Sequence, residues 1–228
     1  GLGPPPSGPP APPPPPPAEG AGAGRGGAGA APPPSQIKYD EEVAFSARRK
    51  LVEYAGNETA PFCMVASFIH PHDPYVARPE WWGLYDEAEI DMPKTAIPLD
   101  QQDGFSRRLI DGIEASTVEV SDAEIRNARH AYYANTSYFD SKVGLITRTL
   151  EENGQLDNTI IIVTADHGDM LGERGLWYKM NFFEHSGRVP LIMAGPGVAG
   201  GGGSRARFAG GSPPPPGGLA GRAAAPQP

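Results

Sequence analysis

Four β-branched residues in succession, Ile160-Ile161-Ile162-Val163, constrain the fold of this chain more than any other feature. The run is short and polar on neither face. It predicts a strand covered on both sides, as in parallel sheets sandwiched between helices. A second run of the same kind follows at residues 189–194. Between them, directly after the first run, stand Asp166, His167 and Gly168. The C-terminal edge of the strands is where open α/β sheets hold their ligands. Asp166 offers a hard oxygen and His167 an imidazole nitrogen, and Gly168 turns without the penalty of a Cβ. Taken alone, Asp-His-Gly reads first as a strand-end turn.

Upstream, helical and extended patterns alternate. Residues 37–55 place Val43, Ala44, Ala47, Leu51 and Tyr54 at helical spacing. Acids come early in that stretch and bases late, which suits the helix dipole. Residues 61–69 predict a buried strand that includes Cys63. His70 and His72 follow, and alternate residues of an extended segment point the same way, so both are expected to face one cleft. Pro71 and Pro74 stiffen that loop; the bland alternative is a pair of surface histidines. Residues 78–120 are irregular and contain Trp81 and Trp82. They predict a long excursion over the sheet edge whose tryptophans pin it to the body. A face for a quaternary ammonium is the alternative. Residues 121–153 predict one long helix, with Ser121 and Glu124 as a capping box and Gly154 closing it. On this helix Asp140 reads as structural and His130 as a surface residue. The order predicts an α/β unit, a mostly parallel sheet with flanking helices.

Proline and glycine mark the boundaries. The first 36 residues hold 14 of 28 prolines and 9 of 30 glycines, and residues 199–228 hold 6 and 9 more. Such tracts bury too little apolar surface to offset the entropy of ordering. Residues 1–36 and 199–228 are therefore expected to be disordered tails around a folded domain at 37–198. With four Arg and one Glu in the ends, the middle keeps 15 basic and 26 acidic residues, a balance that argues against a nucleic-acid partner. No apolar run approaches the ~20 residues that span a bilayer. A signal-peptide pattern is not seen at the amino end. The single cysteine permits no internal disulfide and fits a reducing cytoplasm, so a cytoplasmic protein without membrane partners is expected.

Several short motifs fall in a definite order: Pro71-His72-Asp73-Pro74, Asp166-His167-Gly168-Asp169, Leu171-Gly172-Glu173, Lys179, Phe183-Glu184, and Gly187-Arg188-Val189-Pro190-Leu191-Ile192. This order resembles the sulfatase family of the alkaline-phosphatase-like superfamily. The wording His70-Pro71-His72-Asp73-Pro74-Tyr75 is most similar to that of choline-sulfatases. The resemblance covers residues 37–198, the middle third of a typical sulfatase, and implies an incomplete alkaline-phosphatase-like core.

The resemblance implies metal-dependent hydrolysis of a small-molecule sulfate ester, choline sulfate first among candidates. His72 and Lys179 match the catalytic residues that hydrogen-bond or protonate the leaving oxygen and neutralise a sulfate oxygen. Both, with His70, are substrate-binding candidates. Asp166 and His167 match metal ligands; Ca2+ is the expected ion, with Mg2+ or Mn2+ as alternatives. Glu184 and Arg188 read as supports of loop and strand. The family's nucleophile is a formylglycine made from a Cys or Ser in a Cys/Ser-x-Pro-x-Arg signature. Cys63 has Val65 at the proline position and Ser67 at the arginine position, and no serine carries the signature. No nucleophile is expected in this chain, which is expected to be inactive by itself. A phosphatase or phosphodiesterase of the same superfamily, or a non-catalytic binding module, are the alternatives.

Overall fold

Helix α1 (Pro34–Ala55) and helix α4 (Asp122–Glu152) pack against each other and carry the rest. The computed structural model describes residues 34–56 and 60–198. The expectations for the two tails lie almost wholly outside these residues. Helix α1 buries Ala44, Ala47 and Leu51 of the expected stripe, with Ile37 added and Val43 and Tyr54 half-buried. Helix α4 answers with Ala128, Ala131 and Ala134, all fully buried beneath Tyr75 and Ala77. Small side chains there let the 75–77 segment lie close to the helix backbone. Lys142 Nζ to Glu41 Oε1 (2.6 Å) and Arg48 Nε to Thr149 Oγ1 (2.9 Å) tie α1 to α4 at the rim.

The start of α4 is capped on both sides of the box. Ser121 Oγ accepts the Glu124 N–H, and Glu124 Oε2 accepts the Ser121 N–H. Gly154, at φ +66°, follows its end. Short helix α2 (Pro79–Trp82) lies on α4, so the tryptophans do pin the excursion to the body. Trp82 stacks on His130 at 3.8 Å, and its carbonyl oxygen lies 3.0 Å from His130 Nε2. His130 is thus buried and not the surface residue its sequence neighbours suggest. Helix α3 (Gly104–Gly112) follows, with Asp103 as its cap. The Asp103 carboxylate accepts from the Ser106 hydroxyl (2.6 Å) and from the Ser106 and Phe105 amides (2.9 Å each). These bonds, the hydroxyl's first, hold its carboxyl down at about 2. A carboxyl depressed in the folded state stabilises above its unfolded range near ~4 and loses that contribution as pH falls through the folded value. An NMR titration of the Asp103 carboxyl is expected to show a midpoint near 2 in the native chain, and a higher but still depressed one in Ser106→Ala, where both amide donors remain.

The sheet differs from expectation. Strand β1 (Ile161–Thr164) pairs antiparallel with β2 (Leu191–Ala194), Ile161 opposite Ala194 and Thr164 opposite Leu191. A parallel sheet is not confirmed among the described residues. Parallel neighbours need a crossover, usually a full helix. Between β1 and β2 lie loops, a single 3-10 turn (Glu173–Gly175) and a four-residue helix, α5 (Glu184–Gly187), and the chain returns the way it came. Nor is β1 covered on both sides: Ile162 and Ile192, which the register places on opposite faces of the pair, are 55% and 58% exposed. Segment 61–69 is extended but pairs with no described strand. Phe62 and Phe68 turn inward onto Tyr54 of α1 and Phe139 of α4, while Val65 and Cys63 face out. The buried strand expected there is therefore a half-covered edge, and Cys63 is exposed. Among the described residues no helix is long and apolar enough to cross a membrane.

Candidate functional site

The end of β1 is fastened to the segment before β2 by the Thr164 hydroxyl, which donates to the Pro190 carbonyl at 3.0 Å, and by Gly168. The Gly168 N–H donates to the Ser186 carbonyl at 2.7 Å. A Cβ on Gly168 would overlap the His185 carbonyl oxygen and come within 3.1 Å of its carbon. Only a residue without a side chain fits there. Ser186, itself buried, donates its hydroxyl to the Lys179 carbonyl, and the Asn181 amide donates to the same oxygen. Lys179 is therefore held from the loop side by its own carbonyl, which leaves its side chain free to reach across.

Its ammonium reaches His72. Lys179 Nζ hydrogen-bonds His72 Nε2 between residues 107 positions apart. The other ring nitrogen, Nδ1, lies 2.8 Å from Asp73 Oδ1 and 3.2 Å from the Asp73 carbonyl. The His72 ring also meets His167 edge-on, 5.7 Å between centroids. Three of the residues singled out from the sequence, His72, Lys179 and His167, thus meet at the end of β1, with Asp166 beside them.

His70 is placed differently. Its side chain is 1% exposed, its Nδ1 lies 2.6 Å from Asp40 Oδ2, and its ring packs edge-on against Tyr138. Asp40, fully buried on α1, also accepts the Ile69 and His70 amides at 2.8 and 3.2 Å. The expectation that both imidazoles face one cleft does not hold, because residues 70–74 turn and are not extended. The His72 N–H closes that turn onto the Ile69 carbonyl at 3.0 Å.

Asp169 joins this loop to the one after β1. Tyr75 donates its hydroxyl to the Asp169 carboxylate (3.0 and 2.9 Å), and the Leu171 amide adds a third bond. Burial pushes the Asp169 carboxyl upward despite these donors, with the nearby Asp73 charge adding to it. Burial, then the Asp169 charge, drives the Tyr75 hydroxyl up as well. Further along, buried Glu173 accepts the Lys94 and Thr95 amides and anchors the excursion. Tyr178, immediately before Lys179, sits at φ +64°, a conformation costly for a bulky residue. Glu184 and Arg188 form a loose, exposed pair at 3.9 Å. Sequence reading gave no role to Asp40, Asp73 or Tyr75. Asp73 and Tyr75 stand within the quoted motif, so adjacency to His72 was the available signal; Asp40, thirty residues before His70 in sequence, offered none.

Asp166 and His167 supply the expected pair of metal donors but not a complete shell. The Asp166 carboxylate is 89% exposed and lies 3.7 Å from His167 Nε2, while His167 Nδ1 is taken by the Gly168 carbonyl at 2.7 Å. An oxygen and a nitrogen suit a divalent cation, but calcium takes about 6–8 oxygens. Among the described residues no group of three or more His, Cys, Asp or Glu could hold a metal ion. The pair fits part of a coordination sphere and no more.

Comparison with known proteins places this geometry. The sulfatase family model matches residues 29–207. The choline-sulfatase of Rhizobium meliloti is 49% identical over 172 residues, covering 73% of this chain and 34% of that protein. A multifunctional alkaline phosphatase superfamily protein of Trinickia caryophylli is 30% identical over 177 residues, 72% of this chain and 34% of its own length. Among solved structures, the phosphonate monoester hydrolase of Silicibacter pomeroyi superposes with a TM-score of 0.58 at 28% identity, over 68% of this chain and 33% of that one. The chain thus spans about a third of the length of the curated relatives it matches. With the family model matched over most of its length, this chain belongs to the sulfatase family.

Proposed function

We propose that residues 37–198 form one wall of a sulfatase active site, and that the ester cleaved there is choline sulfate. The observation that carries this reading is the meeting of Lys179 Nζ with His72 Nε2 beside the Asp166–His167 end of β1. An imidazole takes no charge from the lysine, so the ammonium keeps a point charge for a sulfate oxygen. His72 provides the hydrogen bond to the oxygen that leaves. Both act on charge that grows as the S–O bond breaks, where preorganised donors contribute most. Asp166 and His167 are two of the ligands we assign to a divalent cation, calcium first and magnesium or manganese next, which when bound polarises sulfate oxygens. We assign His70 no contact with the ester: its ring is committed to Asp40. None of the 228 residues fills the formylglycine signature, and the chain by itself is proposed to be inactive. The 49% identity to a choline-sulfatase supports choline as the alcohol.

The test is a chimera in which residues 37–198 replace the aligned third of the Rhizobium meliloti choline-sulfatase. It is expected to hydrolyse choline sulfate, while the isolated 228-residue chain shows no turnover. The similarity to a phosphonate monoester hydrolase favours a second reading. A folded chimera that cleaves an aryl phosphonate and leaves choline sulfate intact would establish that reading instead.

A further inference from the structure

We propose that Tyr75 is a positioning residue of the site, a side chain that fixes His72, the Asp166–His167 pair and Lys179 relative to one another. Three separate segments carry those groups. Tyr75 belongs to the first, three residues after His72. Its hydroxyl reaches the second: it lies 3.0 and 2.9 Å from the two carboxylate oxygens of Asp169, which stands two residues after His167. Its ring reaches the third. It stacks on Tyr178, the residue before Lys179, at 6.2 Å between centroids and 13° between planes, with Trp177 tilted against it at 5.6 Å.

A bridge sets distances only if it is rigid, and this one is held at every end. Tyr75 is buried on Ala128, Ala131 and Ala134 of α4. The residue after it is fastened to the same helix, the Val76 carbonyl accepting the buried Asn135 side-chain amide at 2.9 Å. Asp169 is fixed in turn by the Leu171 amide at 3.0 Å and by the Tyr178 amide. Tyr178 needs such support, since a bulky residue at φ +64° persists only where its surroundings over-determine it. Its carbonyl is held as well, by the Met170 amide at 2.8 Å. With its hydroxyl committed to Asp169 and its ring buried, Tyr75 touches neither ester nor cation; it acts through the three segments around it. Its effect on turnover rests on the sulfatase reading above, while its effect on the loops does not.

Tyr75→Phe separates the two links, because it keeps the ring and removes the hydroxyl. In the 228-residue chain it is expected to cost the Leu171 amide, whose acceptor is Asp169, about tenfold or more of its protection from hydrogen exchange. The Met170 amide, bonded to the Tyr178 carbonyl beside the retained stack, is expected to keep its own. Tyr75→Leu removes the stack too and is expected to expose both amides. Unchanged exchange at Leu171 in Tyr75→Phe overturns the bridge. In the chimera, Tyr75→Phe is expected to lower kcat on choline sulfate by about 10- to 100-fold at unchanged KM, measured well below the melting temperature. Tyr133→Phe is the control: it takes a hydroxyl from the Asp91 carboxylate (2.6 Å) elsewhere on α4, and is expected to lower the melting temperature and leave kcat unchanged. A Tyr75→Phe chimera that melts lower yet keeps full kcat overturns the positioning role. A rise in KM alone would put the hydroxyl against the substrate, and overturns it too. Loss of Leu171 protection in Tyr75→Phe, beside a parent chimera that folds but cleaves no choline sulfate, would sustain the bridge and sink the sulfatase reading.

Discussion

Lys179→Met in the chimera is expected to lower kcat on choline sulfate by about 10²- to 10³-fold, some 3–4 kcal/mol of transition-state stabilisation. Methionine retains most of the stem and removes the charge, so the loss isolates electrostatics from packing. Lys179 is anchored by its carbonyl, through Ser186 and Asn181, and those bonds survive the substitution. The fold should therefore be unaffected, and the melting temperature of the variant should match that of the parent chimera. Lys179→Arg is expected to recover little, because a planar fork does not replace a compact charge at this approach to His72. A variant that keeps full kcat would remove Lys179 from the chemistry.

Gly168→Ala is expected to destabilise by about 3 kcal/mol, the upper part of the range for forcing atoms into packed structure. The added Cβ meets backbone, the His185 carbonyl, and cannot be relieved by a side-chain rotation. The loop must move, and the Gly168 amide then loses Ser186. Since Ser186 also holds the Lys179 carbonyl, the displacement reaches the ammonium. A shift of about 1 Å at a reacting group costs about 10²-fold in rate. Gly144→Ala is the control, in the middle of α4 with nothing within 4 Å of the new Cβ. There alanine is expected to stabilise by about 0.5–1 kcal/mol. Opposite signs from the same substitution, read by denaturant unfolding, are the expected result.

Local signals carried most of what was legible. The stripe of α1 and the capping box of α4 involve residues within a few turns of one another, and both stand where periodicity placed them. The position of β1 was readable to within one residue, because a run of β-branched residues is its own signal. Its partner's direction was not, since pairing depends on a path of 26 residues through tight loops. The same limit explains His130, whose covering Trp82 is 48 residues away. His70 and His72 failed for a different reason. Alternation was a fair rule for an extended segment, and a hydrogen-bonded turn at residue 69 cancels it. The meeting of His72 and Lys179 could be anticipated only from family resemblance, as nothing in their spacing brings 107 residues together.

The clamp of Asp40 on the Ile69 and His70 amides has a consequence for the order in which the site is assembled. Until α1 docks on α4, those two amides have no carboxylate, and the turn carrying His72 is held only from its far side, through Tyr75 and Asp169 and through Lys179. The loop carrying His72 is then not an independent folding unit; it becomes ordered together with the docking of the first helix. Partial unfolding that lifts α1 away would dismantle the meeting of His72 with Lys179 while leaving β1 and β2 paired. Local openings of that helix, rather than global unfolding, set how long the His72 side of the site stays organised.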